Sequence, residues 1–319
     1  RWRFDPEVPD QAIPYTAACR GVAYHDARIA RASTLAPADT GASTQPEADD
    51  TTATPQGPMT ADTEAAEADA GNSLGDVAAA NTEAGEQPGV SMRQPGTPLA
   101  DSAPCATRII EGTLDARLVA VDARTGRPCA GFGDNGQVDI TVGMGDVSPG
   151  MVSITSPPVI VRGVIVTGHQ VLDGQRRWAP SGVIQGFDAI TGELRWAWDM
   201  LHPERDGLPP AGETYARGTP NMWTTASGDE ELGLVYLPMG NSAVDYWSSK
   251  RRPRENEYST SLVALDVTTG KPAWHFQTVR KDVWDYDLGS TATLVDFPTA
   301  GGTVPALLLP SKQGDLYVL

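Results

Sequence analysis

Three stretches of the chain share one pattern, and that pattern leaves few folds open. Arg117-Leu-Val-Ala-Val-Asp122 runs into Ala-Arg-Thr-Gly126. Val183-Ile-Gln-Gly-Phe-Asp188 runs into Ala-Ile-Thr-Gly192-Glu-Leu-Arg-Trp196, and Ser261-Leu-Val-Ala-Leu-Asp266 runs into Val-Thr-Thr-Gly270-Lys-Pro-Ala-Trp274. Each unit reads as a strand, an Asp, a Thr-Gly turn and a second strand that ends in Trp, with Ala130 at the Trp position of the first copy. Asp caps such a turn and Gly supplies the positive φ that closes it. A single hairpin cannot bury the Trp, so the unit needs a neighbour to pack on. Trp196 and Trp274 lie 78 residues apart, and the opening Arg1-Trp-Arg reads as the tail of an earlier copy. Repeated antiparallel sheets that complete one another in this way predict an all-β protein, a β-propeller with several consecutive blades. A sandwich with coincidental turns is the competing architecture.

Composition separates a second region. Residues 32 to 104 contain no aromatic side chain, and residues 31 to 104 carry twelve acids against two arginines, so most of the net charge of −17 sits there. Such a segment cannot bury enough apolar surface to offset its chain entropy and is expected to be a disordered insertion on one loop. The chain therefore divides into residues 1–30, the start of the propeller fragment; residues 31–104, the low-complexity acidic insertion; and residues 105–319, consecutive blades truncated at the C-terminal end. Arg1-Trp-Arg-Phe begins like the tail of a strand and Leu316-Tyr-Val-Leu319 stops inside one, as expected of a piece of a longer protein. Neither region has the basic face a nucleic-acid binder needs. No apolar run reaches membrane-spanning length and no signal peptide opens the chain. Cys19, Cys105 and Cys129 show no metal or redox spacing. Cys19 and Cys105 flank the insertion, compatible either with a disulfide closing it in an oxidising compartment or with two separate buried thiols.

Lys281-Asp-Val-Trp-Asp-Tyr-Asp287 packs three acids and two aromatics into seven residues, directly after the strand-like run Pro272-Ala-Trp-His-Phe-Gln-Thr278. Acids flanked by bulky rings suit a rigid, partly dry carboxylate that accepts a proton, or else a Trp-anchored surface turn with solvated acids.

The repeated Asp-x-x-Thr-Gly-x-x-x-Trp unit resembles the tryptophan-docking motif of the pyrroloquinoline quinone (PQQ) dehydrogenases. Gly112-Thr-Leu-Asp-Ala-Arg-Leu-Val-Ala-Val-Asp122, Tyr236-Leu-Pro-Met-Gly-Asn241, Tyr258-Ser-Thr-Ser-Leu-Val-Ala-Leu-Asp266 and Val283-Trp-Asp-Tyr-Asp287 look like the membrane-bound glucose dehydrogenase branch. The resemblance implies an eight-bladed propeller with about half its blades present here, on the periplasmic face of the inner membrane, its anchor absent from this fragment. It implies oxidation of an aldose, glucose to gluconolactone, with electrons passed to ubiquinone. Alternatives are a related polyol, quinate or alcohol dehydrogenase, and a cofactor-free scaffold propeller.

Roles follow from the resemblance where residues match. Asp285, the acid after Trp, falls on the general base, which also lies beside the metal. Asp287 is read as a turn or surface acid, and Asp282 likewise as structural. Lys312 matches the lysine facing the quinone oxygens, Arg20 the arginine on a PQQ carboxylate, and Trp223 the ring on which PQQ stacks, with Asn221 a further polar contact. The vicinal disulfide of the alcohol enzymes is missing, and His25 matches the pocket histidine of the glucose enzymes, a substrate contact. Asp173, Asn241 and Asp285 would form the Ca2+ or Mg2+ site, although Gly174 and Ala243 depart from the family's pattern. His169 and His275 are read as structural.

Overall fold

A computed structural model describes residues 1–16, 20–29, 98–172, 174, 176–246 and 250–319. Most of the acidic insertion, Cys19 and Asp173 lie outside these residues. The first sheet pairs β1 (Ala23–Asp26), β2 (Thr107–Gly112), β3 (Arg117–Asp122) and β4 (Gln137–Asp139) in chain order, so the insertion sits between the first two strands of one blade. Its described end is bonded back, with Leu99 N donating to Ala27 O at 2.9 Å. A two-stranded pair, β5 (Val152–Ser153) with β8 (Gln170–Val171), flanks the second sheet of β6 (Val159–Val161), β7 (Val164–Thr167), β9 (Ile184–Asp188) and β10 (Leu194–Trp198). The third sheet runs β11 (Ser227–Asp229), β12 (Leu234–Pro238), β13 (Ser261–Asp266) and β14 (Pro272–Gln277), with the short helix α1 (Pro253–Tyr258) before β13. The fourth holds β15 (Thr293–Thr299), β16 (Gly302–Pro310) and β17 (Leu316–Val318). The pairings between these strands are antiparallel, and the first strands β1, β6 and β11 touch in series, as the inner strands of successive propeller blades do.

The cores lie between blades, which explains why the repeat strands carry apolar residues on both faces. Side chains alternate across a strand, so a blade buried on both faces needs apolar residues on both. In β13, Val263 and Leu265 pack toward the second blade while Leu262 and Ala264 join the cluster with Leu307 and Leu309 of the fourth. In β9, Phe187 packs with Ile110 and Leu118 of the first blade, whereas Ile184 faces the third.

The docking turns have nearly identical geometry. The Oδ1 atoms of Asp122, Asp188 and Asp266 each accept two backbone N–H groups at 2.8–3.0 Å, from Arg124 and Thr125, Ile190 and Thr191, and Thr268 and Thr269. Gly126, Gly192 and Gly270 then close back on the Asp carbonyl at 2.8 Å with φ between +70° and +73°. The Trp of one unit sits on the Gly of the next. Trp196 donates its indole N–H to Val267 O at 2.8 Å, and a Cβ on Gly270 would stand 2.4 Å from its ring. Trp2 does the same against Ala123 O and Gly126, so the opening residues do belong to an earlier copy. In the first complete copy the seat is filled not from Ala130 but by Phe132, which abuts Gly192 while Gly133 N bonds Thr191 O.

One pairing expectation is overturned. Cys105 bonds Cys129, not Cys19, with Cα atoms 5.8 Å apart. The bridge joins the entry of β2 to the turn after β3, closing a separation of 24 residues. Holding that loop shut in the unfolded chain contributes ~3 kcal/mol. Replacing both cysteines by Ser is therefore expected to lower the unfolding free energy by that amount, read as a lower denaturant midpoint. Reductant should shift the parent protein equally and leave the double variant unchanged; insensitivity of the parent to reductant would sink the assignment.

Candidate active site

The acidic turn after β14 is built on Asp282, which is buried and not solvated as a surface turn would have it. Its carboxylate accepts the N–H groups of Trp284 at 2.9 Å and Tyr286 at 2.7 Å, the Thr260 hydroxyl at 2.9 Å and Asn241 Nδ2 at 3.3 Å. Arg251 clamps the same turn by bonding Asp282 O, and its other nitrogens bind the carbonyls of Val244, Asp245 and Tyr246. So fixed, the chain carries Asp285 through the left-handed region at φ +61°. An Asp tolerates that conformation at a modest energetic cost, and such strain clusters at functional sites. The Asp285 side chain stays about one-third exposed and meets Lys312, whose Nζ donates to Asp285 O at 2.9 Å and Oδ2 at 3.5 Å.

Two residues on, Asp287 is buried, so its reading as a turn or surface acid is also overturned. The reason is tertiary. Asp287 Oδ2 accepts the indole N–H of Trp223 at 2.8 Å, and Oδ1 accepts Asn241 N at 2.6 Å. Gly240 leaves the space, since a Cβ there would stand 3.2 Å from the carboxylate. Burial pushes the Asp287 carboxyl up to about 6, helped by the like charge of Asp285, while the Trp223 bond opposes the shift.

Trp223 lies on the segment that leads from the second blade into β11. Two glycines let that segment pass close, because side chains at Gly168 and Gly182 would overlap Met222 O and Pro220 O at 2.5 and 2.0 Å. The Arg20 guanidinium stands 5.3 Å from the Trp223 ring centre and donates to Trp223 O at 3.1 Å and Ser156 Oγ at 3.0 Å. Trp223 O also accepts the hydroxyls of Thr155 and Ser156, each at 2.8 Å. Asn221 is buried and, among the described residues, its Oδ1 meets no donor, which leaves that oxygen to a donor or cation.

The structure thus joins Arg20 to Trp223, Trp223 to Asn241 through Asp287, and Asp285 to Lys312. His25 lies half-buried on the inner strand β1, opposite Arg108. His169 is wholly buried with Nε2 2.7 Å from Ser181 O, and burial lowers its pKa to about 4, as suits a structural histidine. Asn241 commits its side-chain amide to Asp245 O and Asp282, leaving Oδ1 against Ser242 N. Among the described residues no group of three or more His, Cys, Asp or Glu side chains is placed to hold a metal ion. Asp287 and Arg251 were the members that sequence alone missed, while Asp282 has the structural part expected of it. Only the tight spacing of acids around Trp284 hinted at Asp287.

The Trp223 ring with Arg20 beside it, and Lys312 beside Asp285, supply a stacking face and two cations from distant segments, which suit a flat anion, whereas the Asn221 oxygen suits a donor or a cation.

Comparison with known proteins gives the same family. Residues 64–319 match the model described as PQQ: Glucose/ethanol/alcohol dehydrogenase, beta-propeller domain. The chain is 58% identical over 217 residues to the glycerol dehydrogenase large subunit of Gluconobacter oxydans (strain 621H), covering 68% of this chain and 29% of that protein. It is 41% identical over 217 residues to the quinoprotein glucose dehydrogenase of Escherichia coli (strain K12), covering 68% and 27%. The crystal structure of quinohemoprotein alcohol dehydrogenase from Comamonas testosteroni superposes with a TM-score of 0.51 at 28% identity, covering 66% of this chain and 32% of that one. The chain spans under a third of the length of these relatives. It belongs to the PQQ-dependent dehydrogenase β-propeller family.

Proposed function

We propose that this chain carries active-site blades of a PQQ-dependent dehydrogenase that oxidises a polyol. The observation that carries the reading is the meeting of Arg20, Trp223, Asp285 and Lys312 from four separate segments around one network. A propeller that only scaffolds other proteins has no use for it. Trp223 offers the ring on which the flat cofactor stacks. Arg20 offers a planar fork for one of its carboxylates, and Asn221 a polar contact. Bound there, PQQ supplies the acceptor for the two electrons and hydrogen that leave the carbinol carbon. Asp285 takes the hydroxyl proton of the substrate, and Lys312 sets positive charge where negative charge develops. Asp285, Asn241 and Asp173 would hold the Ca2+ or Mg2+ with hard oxygen donors, which would supply Lewis-acid polarisation.

The relatives support the choice of substrate class. Two glycerol dehydrogenase large subunits share 58% and 56% identity with the chain, against 41% for the glucose and quinate/shikimate enzymes. Polyol oxidation is therefore placed ahead of the aldose oxidation that the motifs suggested. His25 on an inner strand favours the aldose as the second reading, with the sugar contacting that histidine. The Cys105–Cys129 bridge suits an oxidising periplasm, and electrons would pass onward to ubiquinone at the inner membrane.

The full-length protein loaded with PQQ and Ca2+ or Mg2+ should reduce a dye with glycerol or longer polyols. Its kcat/KM on the best polyol should exceed that on glucose, quinate or ethanol by about tenfold or more. A preference for glucose would install the second reading, and failure to bind PQQ would remove both.

A further inference from the structure

We propose that Asp287 is a positioning residue for the cofactor platform, one carboxylate that fixes the plane of Trp223 and ties it to the turn that carries the base. The proposal rests on the reading that PQQ stacks on Trp223. Its geometry does not. Asp287 joins three elements: it stands two residues after Asp285, its Oδ2 takes the Trp223 indole N–H at 2.8 Å, and its Oδ1 takes Asn241 N just after β12 at 2.6 Å.

An indole ring in a partly exposed position can swing about its side-chain bonds unless its one polar atom is held. Here the N–H is held by a buried oxygen, and Gly289 backs the far edge of the ring, a Cβ there standing 3.2 Å from Trp223 Cη2. From the chain side, Trp223 O accepts Arg20, Thr155 and Ser156. Ring and backbone are thus pinned independently, and Asp287 is the pin on the ring. Both Asp287 oxygens already accept protein donors. That separates its task from that of Asp285, whose carboxylate meets only Lys312 among the described residues.

The chemistry makes a carboxylate necessary. Two N–H donors converge on two oxygens, and an amide offers one acceptor and one donor. In Asp287→Asn either the indole or the Asn241 N–H must face an NH2 group. A buried donor left unmatched costs enough to release the ring.

The test is a double-variant cycle on PQQ affinity, read by equilibrium titration of the full-length apoprotein with PQQ at fixed Ca2+, so that turnover does not enter. D287N alone should weaken PQQ binding about tenfold or more. W223F keeps a ring and removes the donor, and in that background D287N should add less than about a further twofold, because the contact it serves is gone. Equal weakening by D287N in both backgrounds would overturn the proposal, and so would PQQ binding by D287N at parental strength. Should D287N fail to fold, G240A decides. It keeps every charge and donor but brings a methyl to 3.2 Å from the Asp287 carboxylate. It should weaken PQQ several-fold in the parent and not in the W223F background; no effect in the parent, or the same effect in both, overturns the proposal. If the parent itself does not bind PQQ, the functional reading fails instead, and the two failures are distinct.

Discussion

Asp285→Asn in the full-length, cofactor-loaded protein is expected to lower kcat by about 10²- to 10⁴-fold, the usual contribution of a placed general base. Three features direct the prediction to this acid and not to its neighbours. Asp282 is consumed by four donors that build the turn, and Asp287 by two that hold Trp223 and Asn241. Asp285 keeps an accessible oxygen, 3.5 Å from Lys312 Nζ, on a backbone strained into place at φ +61°. The amide is nearly isosteric and tolerates the left-handed region as well as Asp does, so fold and PQQ affinity should hold. The informative measurement pairs pre-steady-state reduction of the bound quinone with a PQQ titration. Loss of rate with retained affinity supports the assignment. Near-parental turnover would mean that another group takes the proton, and a parallel collapse of affinity would mean that Asp285 mainly holds the cofactor or its metal.

What the sequence made legible was what is local. The turn from Asp188 to Gly192 closes with bonds spanning at most four residues, so its pattern survives in any context and announces itself. The same turn occurs between β11 and β12, where Asp229 Oδ1 takes Glu231 and Leu232 N and Gly233 closes at φ +70°. Leu232 stands there in place of Thr, and the motif went unread. Phe132 was missed for a similar reason: the seat over Gly192 asks for a large ring, not for Trp at a fixed offset. The site shows the opposite case. Arg20 and Trp223 are 203 residues apart and Trp223 and Asp287 are 64 apart. Nothing in the neighbourhood of Asp287 says that an indole will arrive, so an acid beside Leu288-Gly289 reads as surface until the blades are assembled. Family resemblance pointed to Arg20, Trp223, Asp285 and Lys312, and only the assembled fold revealed Asp287 and Arg251, which hold their surroundings.

Trp196→Ala should be the most destabilising single truncation in the fold, at about 3–5 kcal/mol for the lost burial and the cavity. Its indole is almost fully buried between two glycines of different blades: a Cβ on Gly186 would stand 2.3 Å from the ring and one on Gly270 2.4 Å. Its N–H bonds Val267 O at 2.8 Å, so truncation also strands a carbonyl. The residue thus works as a rivet between the second and third blades, and its loss should be felt by both rather than as local fraying. Trp196→Phe keeps much of the apolar contact and loses the N–H, which sets its cost nearer 1–2 kcal/mol, roughly one unmatched hydrogen bond plus a smaller ring. Gly270→Ala attacks the same contact from the other side, through overlap with the ring and through its φ of +70°. Because the two variants damage one contact, their effects should not add. In the W196A background the Gly270→Ala change should cost only the backbone strain, roughly 1–2 kcal/mol. Denaturant unfolding of the four proteins measures the cycle directly. Full additivity would show that ring and glycine are stabilised separately, and the docking motif would then be a turn signature without a docking partner.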